Sequence, residues 1–116
     1  MEERLEIREQ NGVFIVKPSG VMNVQYSMEV ENKLDFFFNK NAPKKVIVDF
    51  SEVQHISSSG LRVLVSFYKK VVENEGKMFL VNLNSNLKKI FKIVELDTVF
   101  QIFDSFEEAF QKISNA

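Results

Sequence analysis

The sequence predicts an α/β fold with a mixed, mostly parallel sheet and an antiparallel hairpin at its amino-terminal end. Short apolar runs alternate with segments of helical spacing from residue 25 onward, and strands joined through helices run parallel. The first two strands are separated only by Asn11-Gly12, a dipeptide typical of tight hairpins. The order ββαβαβαβα gives about five strands and four helices. A chain of 116 residues, 45% of them hydrophobic, fits one domain covering residues 1–116.

The hairpin is predicted from alternation and β-branched content. Residues 3–8 alternate polar and apolar side chains, with Leu5 and Ile7 on one side, which is typical of a half-buried strand. Residues 13–17 are rich in β-branched side chains and form the returning strand. We expect the Pro-Ser-Gly sequence at residues 18–20 to end that strand.

Helical and extended segments then alternate. Residues 25–39 have helical spacing, residues 45–50 form a buried strand, and residues 51–56 are expected to be a connection. The clearest helix follows the serines at 57–59 and ends near Gly76. Its apolar side chains recur at steps of three and four: Leu61, Leu64, Val65, Tyr68, Val71 and Val72.

The last third of the chain repeats the pattern. Residues 78–83 are predicted as a buried strand, residues 87–94 as a short helix and residues 99–103 as a final strand. Ser105 and Glu108 form a capping box, in which each side chain bonds the other residue's backbone N–H, and so predict a last helix.

Composition excludes several function classes. Lys and Arg total 15 against 16 Asp and Glu, which disfavours nucleic acid as the main partner. One His and no Cys cannot build an ordinary zinc site, and the glycines form no phosphate-binding motif. No apolar run is long enough to span a bilayer. We therefore expect no catalytic residue, metal, cofactor or membrane contact, and a cytoplasmic location.

A hydrolase is the enzymatic alternative. His55 lies three residues before Ser58, but a Ser–His pair needs side-chain contact and a carboxylate that orients the His. The sequence also lacks the GxSxG elbow. We therefore disfavour this hypothesis and interpret His55 as a partly exposed loop residue.

Three hydroxyls, those of Ser57, Ser58 and Ser59, stand where a strand leads into a helix, just before Gly60. One serine suffices for a helix N-cap, so three exceed what capping requires. A phosphoserine there would be tolerated by the helix N-terminus, yet would add about −1.5 to −2 charges to a neutral surface. A protein docked over that surface would be repelled. Arg62, four residues past Ser58, either pairs with such a phosphate or is simply solvated.

The segment VIVDFSEVQHISSSGLRVL resembles the core motif of STAS domains, in particular bacterial anti-sigma factor antagonists, and the likeness spans essentially the whole chain. The resemblance implies an antagonist that binds an anti-sigma factor, itself a serine kinase, and so frees the sigma factor. Phosphorylation then releases the partner and a phosphatase resets it. By position the phosphorylated residue is Ser58, with Ser57 and Ser59 as less favoured alternatives.

Two positions depart from the family pattern. Ser57 stands where the motif has Asp, and Asn23 ends a Gly20-Val21-Met22-Asn23 loop where Asp is common. Two hypotheses therefore remain: a phospho-switchable antagonist, or an unphosphorylated STAS binding or scaffold module in signalling, transport regulation or nucleotide sensing. We expect a monomer or weak dimer, with a partner surface formed by Gly20, Val21, Met22, Asn23, Ser57, Ser58, Ser59, Gly60, Arg62 and Ser66.

Phe36, Phe37 and Phe38 are consecutive in a predicted helix. At about 100° per residue they spread wider than a buried stripe, so at least one ring should be partly exposed. Such a ring either lies along the domain edge, shielded by long side chains, or contacts a partner or a second copy. The sequence slightly favours the first interpretation.

Overall fold

The computed structural model describes residues 4–116 as a six-stranded sheet with four α-helices. In chain order the elements are β1 Arg4–Gln10, β2 Val13–Met22, α1 Val24–Asn41, β3 Lys45–Asp49, β4 Glu52–Ile56, α2 Ser58–Glu73, β5 Lys77–Val81, α3 Ser85–Ile93, a short 3-10 helix Leu96–Thr98, β6 Gln101–Phe103 and α4 Phe106–Ser114. The predicted first strand began at Glu3, which lies outside the described residues.

The sheet has the predicted mixture of directions. Its order is β1-β2-β3-β5-β6, with β4 paired to the far end of β2. β1 runs antiparallel to β2, and the other pairs are parallel. Asn11 and Gly12 both have positive φ, 52° and 84°, as the tight turn between β1 and β2 requires. The α/β class and the amino-terminal hairpin are thereby confirmed.

Alternating side chains of the strands divide the core between the two faces of the sheet. Phe14 and Val16 pack toward α1, α2 and α3, whereas Val13 and Ile15 pack toward Ala109 and the rest of α4. Period-two alternation in β2 therefore supplies both cores. Within residues 4–116, no helix is long and apolar enough to cross a membrane.

The connection predicted at residues 51–56 is wrong, because Glu52–Ile56 forms β4. Only Val53 and Ile56 are buried in it, so the strand is too short and polar to show alternation. The predicted end of β2 at residues 18–20 is also wrong, since β2 continues to Met22. Pro18 falls between Val16, which pairs with β3, and Ser19, which pairs with β4. A residue without an N–H is tolerated where a strand changes neighbours.

Several smaller boundaries also differ from the predictions. α2 is confirmed, but its buried face includes Val63 and Phe67 while Val72 is 45% exposed. The last strand begins at Gln101, because Val99 follows the 3-10 helix. Ser105 Oγ accepts the Glu108 N–H at 3.2 Å, yet no reciprocal bond from Glu108 occurs among residues 4–116, so the predicted capping box is half formed.

Tyr26 fastens the start of α1 to the hairpin. Its hydroxyl donates to the Arg4 carbonyl at 2.6 Å and accepts the buried Ser19 N–H at 3.2 Å. The side chain itself is 3% exposed. One phenol therefore links α1, β1 and β2 at the edge of the sheet where α1 begins.

We expect Tyr26→Phe to lower the free energy of unfolding by about 1–3 kcal/mol, because the buried Ser19 N–H loses its hydroxyl acceptor. Tyr68→Phe is the matched control. Its hydroxyl makes only an exposed 3.5 Å bond to the Val99 carbonyl, and its loss should cost under about 0.5 kcal/mol. Urea unfolding of both variants checks the difference, and equal destabilisation would contradict the assigned role of Tyr26.

Candidate functional site

Two helices begin side by side at the carboxyl ends of β2 and β4, which we call the carboxyl edge of the sheet. Met22 at the end of β2 is paired with Ile56 at the end of β4, and the Ser57 N–H donates to the Met22 carbonyl at 2.9 Å. Because the two strands are parallel, the chain leaves both at the same edge and enters α1 and α2 there. We call residues 21–24 and 57–62 the paired helix starts.

Each helix start is capped by a neutral side chain. Asn23 Oδ1 accepts the Tyr26 N–H at 2.8 Å, and Ser57 Oγ accepts the Gly60 N–H at 3.2 Å. These are the two positions where the resembled family commonly carries Asp. Asn, Ser and Asp are comparably good N-caps, so the hydrogen bonds that begin both helices are kept while both negative charges are absent.

The three serines differ in their surroundings. Ser57 is half-buried and its oxygen is engaged in capping. Ser59 is also half-buried, whereas Ser58, the first residue of α2, is exposed and makes no side-chain hydrogen bond within the described chain. Of the three hydroxyls, that of Ser58 is the most accessible to another protein.

Gly60 allows the two helices to begin close together. A Cβ at this position would lie 2.7 Å from Ile56 Cγ1 and 3.1 Å from Ser27 Oγ, both on buried residues. Gly20, which has a φ of 93°, and Met22 are buried as well. These three members of the predicted partner surface are therefore buried beneath the paired helix starts and present no side chains to a partner.

The paired helix starts carry little negative charge. Neither α1 nor α2 has an acidic residue in its first turn. Arg62 is exposed one turn after Ser58 and forms no ion pair with the described residues, while Ser66 is half-buried on the next turn. Helix N-termini carry a partial positive charge, so the edge can accept an anion without opposing a carboxylate.

An exposed apolar patch adjoins Asn23, and the sequence-based prediction found only part of it. Val21 is 37% exposed, Val24 58% and Met28 59%, but only Val21 was predicted as a contact residue. Val24 and Met28 lie one turn apart on the same face of α1. Both are apolar yet out of phase with the buried positions Tyr26 and Val30, which is the signal that could have identified them.

The Ser58–His55 hydrolase hypothesis finds no support in the geometry. His55 is exposed on β4, and its Nδ1 lies 3.4 Å from the Asn86 side-chain nitrogen. No hydrogen bond or ion pair among residues 4–116 joins His55 to a carboxylate or to Ser58. Nor do these residues form a group of His, Cys, Asp or Glu that could hold a metal ion. The predicted loop position of His55 is wrong, but its exposure is confirmed.

We expect Ser57→Ala to lower the free energy of unfolding by about 0.5–2 kcal/mol, because the Gly60 N–H loses its cap. Ser58→Ala, the matched control, should change it by less than about 0.5 kcal/mol. Ser57→Asp should retain wild-type stability, since a carboxylate caps equally well. Thermal and urea unfolding of the three variants measure this, and a larger loss for Ser58→Ala would contradict the division of roles.

Comparison with known proteins agrees with this geometry. The STAS domain family model matches residues 4–109. A curated relative from Bordetella bronchiseptica, named "Putative anti-sigma factor antagonist BtrV", is 26% identical over 106 residues, covering 91% of this chain and 90% of its own.

Solved structures show the same fold. The crystal structure named as that of a "putative anti-sigma factor antagonist" from Thermotoga maritima has a TM-score of 0.87 at 24% identity and covers 94% of this chain and 93% of its own. The Bacillus cell fate determinant SpoIIAA in its phosphorylated form has a TM-score of 0.73 at 17% identity, covering 97% and 99%. With its family match over residues 4–109, its mixed sheet and its two adjoining helix starts, the chain belongs to the STAS domain family.

Proposed function

We propose that this protein is an anti-sigma factor antagonist that binds an anti-sigma factor with serine kinase activity and releases it when Ser58 is phosphorylated. The observation that carries this proposal is the exposed Ser58 hydroxyl on the first residue of α2, beside a neutral N-cap. The antagonist name of the Bordetella relative and the phosphorylated state of SpoIIAA support it. Release of the sigma factor would then control transcription in the cytoplasm.

The unmodified edge offers a docking surface that is mainly apolar and uncharged. Val21, Val24 and Met28 expose hydrophobic side chains next to Asn23, and Ser58 lies at the neighbouring helix start. Apolar burial favours association without needing a complementary charge on the anti-sigma factor. Arg62 and Ser66 extend this surface along α2.

Phosphorylation would change the interface more than the fold. A phosphate on Ser58 adds about −1.5 to −2 charges at a helix N-terminus, which stabilises an anion locally, and Arg62 is one turn away. The protein itself therefore tolerates the modification. A bound partner, in contrast, would have to cover a dianion, and removing such a charge from water is costly.

The neutral caps increase the contrast in charge between the unmodified and the phosphorylated protein. Because Asn23 and Ser57 carry no charge, the unmodified helix starts present no carboxylate to an anti-sigma factor. Within residues 21–24 and 57–62, the phosphate would be the only negative charge. Removal of the phosphate by a phosphatase would then restore the binding surface without any refolding.

The first test combines modification and binding. Incubation with the anti-sigma factor kinase of the same cell and ATP should add one phosphate by intact mass. Ser58→Ala should abolish that shift while still binding the kinase. Ser58→Asp should bind the anti-sigma factor at least about tenfold more weakly by calorimetry, because a carboxylate must be desolvated in the interface.

Matched variants make these outcomes specific. Ser57→Ala and Ser59→Ala should still be phosphorylated. Gln111→Asp adds the same charge at an exposed position of α4, on the opposite face of the sheet, and should bind like wild type. A chain that binds the kinase tightly but gains no phosphate would favour the unphosphorylated binding module instead. Undiminished binding of Ser58→Asp would show that charge is not the switch.

A second prediction concerns the apolar patch. Val24→Ser combined with Met28→Ser should weaken anti-sigma factor binding about tenfold or more, since two exposed apolar side chains would no longer be buried against the partner. Ile93→Ser on α3, where the side chain is 79% exposed, is the control and should bind normally. Both proteins should unfold at wild-type urea concentrations, and unchanged affinity in the double variant would remove this patch from the interface.

A further inference from the structure

β1 is the outermost strand of the sheet, and the side of its backbone that faces away from β2 is unpaired. Among the described strands it pairs with β2 alone. Next to its open side lies a groove between β1 and the second half of α1, whose apolar lining is Leu5, Ile7, Phe14, Phe36 and Phe37. An open strand edge beside an apolar groove is a template for pairing with another strand.

Phe36 makes this groove unusual. Its side chain is 71% exposed, while the neighbouring Phe37 is 7% exposed and packs edge-to-face on Phe14 at 4.9 Å between ring centroids. Leu5 and Ile7 on the same face are only half-buried. The shielding of Phe36 by long side chains, which the sequence slightly favoured, is not observed. A ring this exposed, over an open strand, favours an occupant with apolar side chains.

The order of charges along β1 identifies that occupant. In an antiparallel pair of two copies of Arg4–Gln10 centred on Ile7, Glu6 faces Arg8 of the second copy, and the contact occurs twice. Arg4 then faces Gln10, Leu5 faces Glu9, and Ile7 faces Ile7. Shifting the centre to Glu6 instead sets Arg4 against Arg8 and Glu6 against Glu6. Centring on Leu5 also sets Arg4 against Glu6, but it pairs only residues 4–6 of the described strand, whereas the Ile7-centred register pairs all seven residues. Opposite charges across strands stabilise and like charges destabilise, so the Ile7-centred register is favoured.

We propose that two copies of this chain associate through antiparallel pairing of β1 centred on Ile7, which continues the sheet across a two-fold axis. Phe36 of each copy would lie over Leu5 and Ile7 of the other. Charged side chains ordinarily protect an edge strand from pairing, but here their sequence makes the Ile7-centred register self-complementary. With only seven residues and one ring from each copy, the dimer is weak and depends on protein concentration.

This pairing surface is separate from the paired helix starts. It uses β1 and the later half of α1, whereas Ser58 and Asn23 lie where α1 and α2 begin. The dimer can therefore form whether or not Ser58 is phosphorylated.

Sedimentation equilibrium from micromolar to millimolar protein tests the proposal. The wild type should show reversible dimerisation. Glu6→Arg alone or Arg8→Glu alone should weaken it by about tenfold or more, because each places like charges opposite one another twice. The double variant E6R/R8E should restore dimerisation. A mixture of the two single variants should form a heterodimer, since one chain is then basic and the other acidic at both positions.

Further variants separate pairing from general surface effects. Phe36→Ser should weaken dimerisation, whereas Ile93→Ser, which also replaces an exposed apolar side chain but lies on α3, should not. Circular dichroism should show every variant folded. A wild type that stays monomeric at millimolar concentration, or a double variant that associates no better than the single ones, would overturn the proposal. Neither result would affect phosphorylation of Ser58.

Discussion

The parallel pairing between the end of β2 and β4 is the constraint on which the rest of the site depends. It places the carboxyl ends of two strands next to each other, and the Ser57 N–H bond to the Met22 carbonyl fixes their offset. Two helices must then begin at the same edge, and only a residue without a Cβ, Gly60, fits between Ile56 and Ser27. The exposure of Ser58 follows from this packing, because the helix turns its first residue toward solvent.

At the paired helix starts, the side chains that cap the helices are distinct from the exposed side chain of Ser58. The side chains of Ser57 and Asn23 accept hydrogen bonds from backbone N–H groups, whereas the Ser58 side chain makes no hydrogen bond within the described chain. A side chain that makes no hydrogen bond within the protein can gain a charge with little effect on the free energy of unfolding. Because both caps are neutral, the paired helix starts contain no carboxylate, and Arg62 is their only charged side chain.

Much of the architecture was predictable because it depends on local chemistry. The Asn11-Gly12 turn was predictable because Asn and Gly readily adopt the positive φ that a tight hairpin requires. The helices were predictable from the spacing of their apolar residues. β4 was missed because its pairing with β2 is non-local and its five residues bury only Val53 and Ile56. The extension of β2 through Pro18 also depends on a change of neighbour that the sequence does not show.

Within the candidate site, the predictable part was the location of the serines at a helix start. Which serine is exposed could not be predicted, since it depends on where the helix begins, and a shift of one residue exchanges cap and first turn. The buried positions of Gly20 and Met22 and the exposure of Val24 and Met28 depend on how α1 packs on the sheet. The spacing of apolar residues predicts that α1 has a buried face, but it does not predict where the helix begins or which residues at its start are exposed.

The three neighbours of β2 restrict how the length of the chain can vary. This strand pairs with β1 along one side and with β3 and then β4 along the other, and its alternate residues fill both cores. One inserted or deleted residue would turn side chains to the wrong face and misalign all three partners at once. Insertions are expected to survive at the Asn11-Gly12 tip, which is exposed and touches neither core.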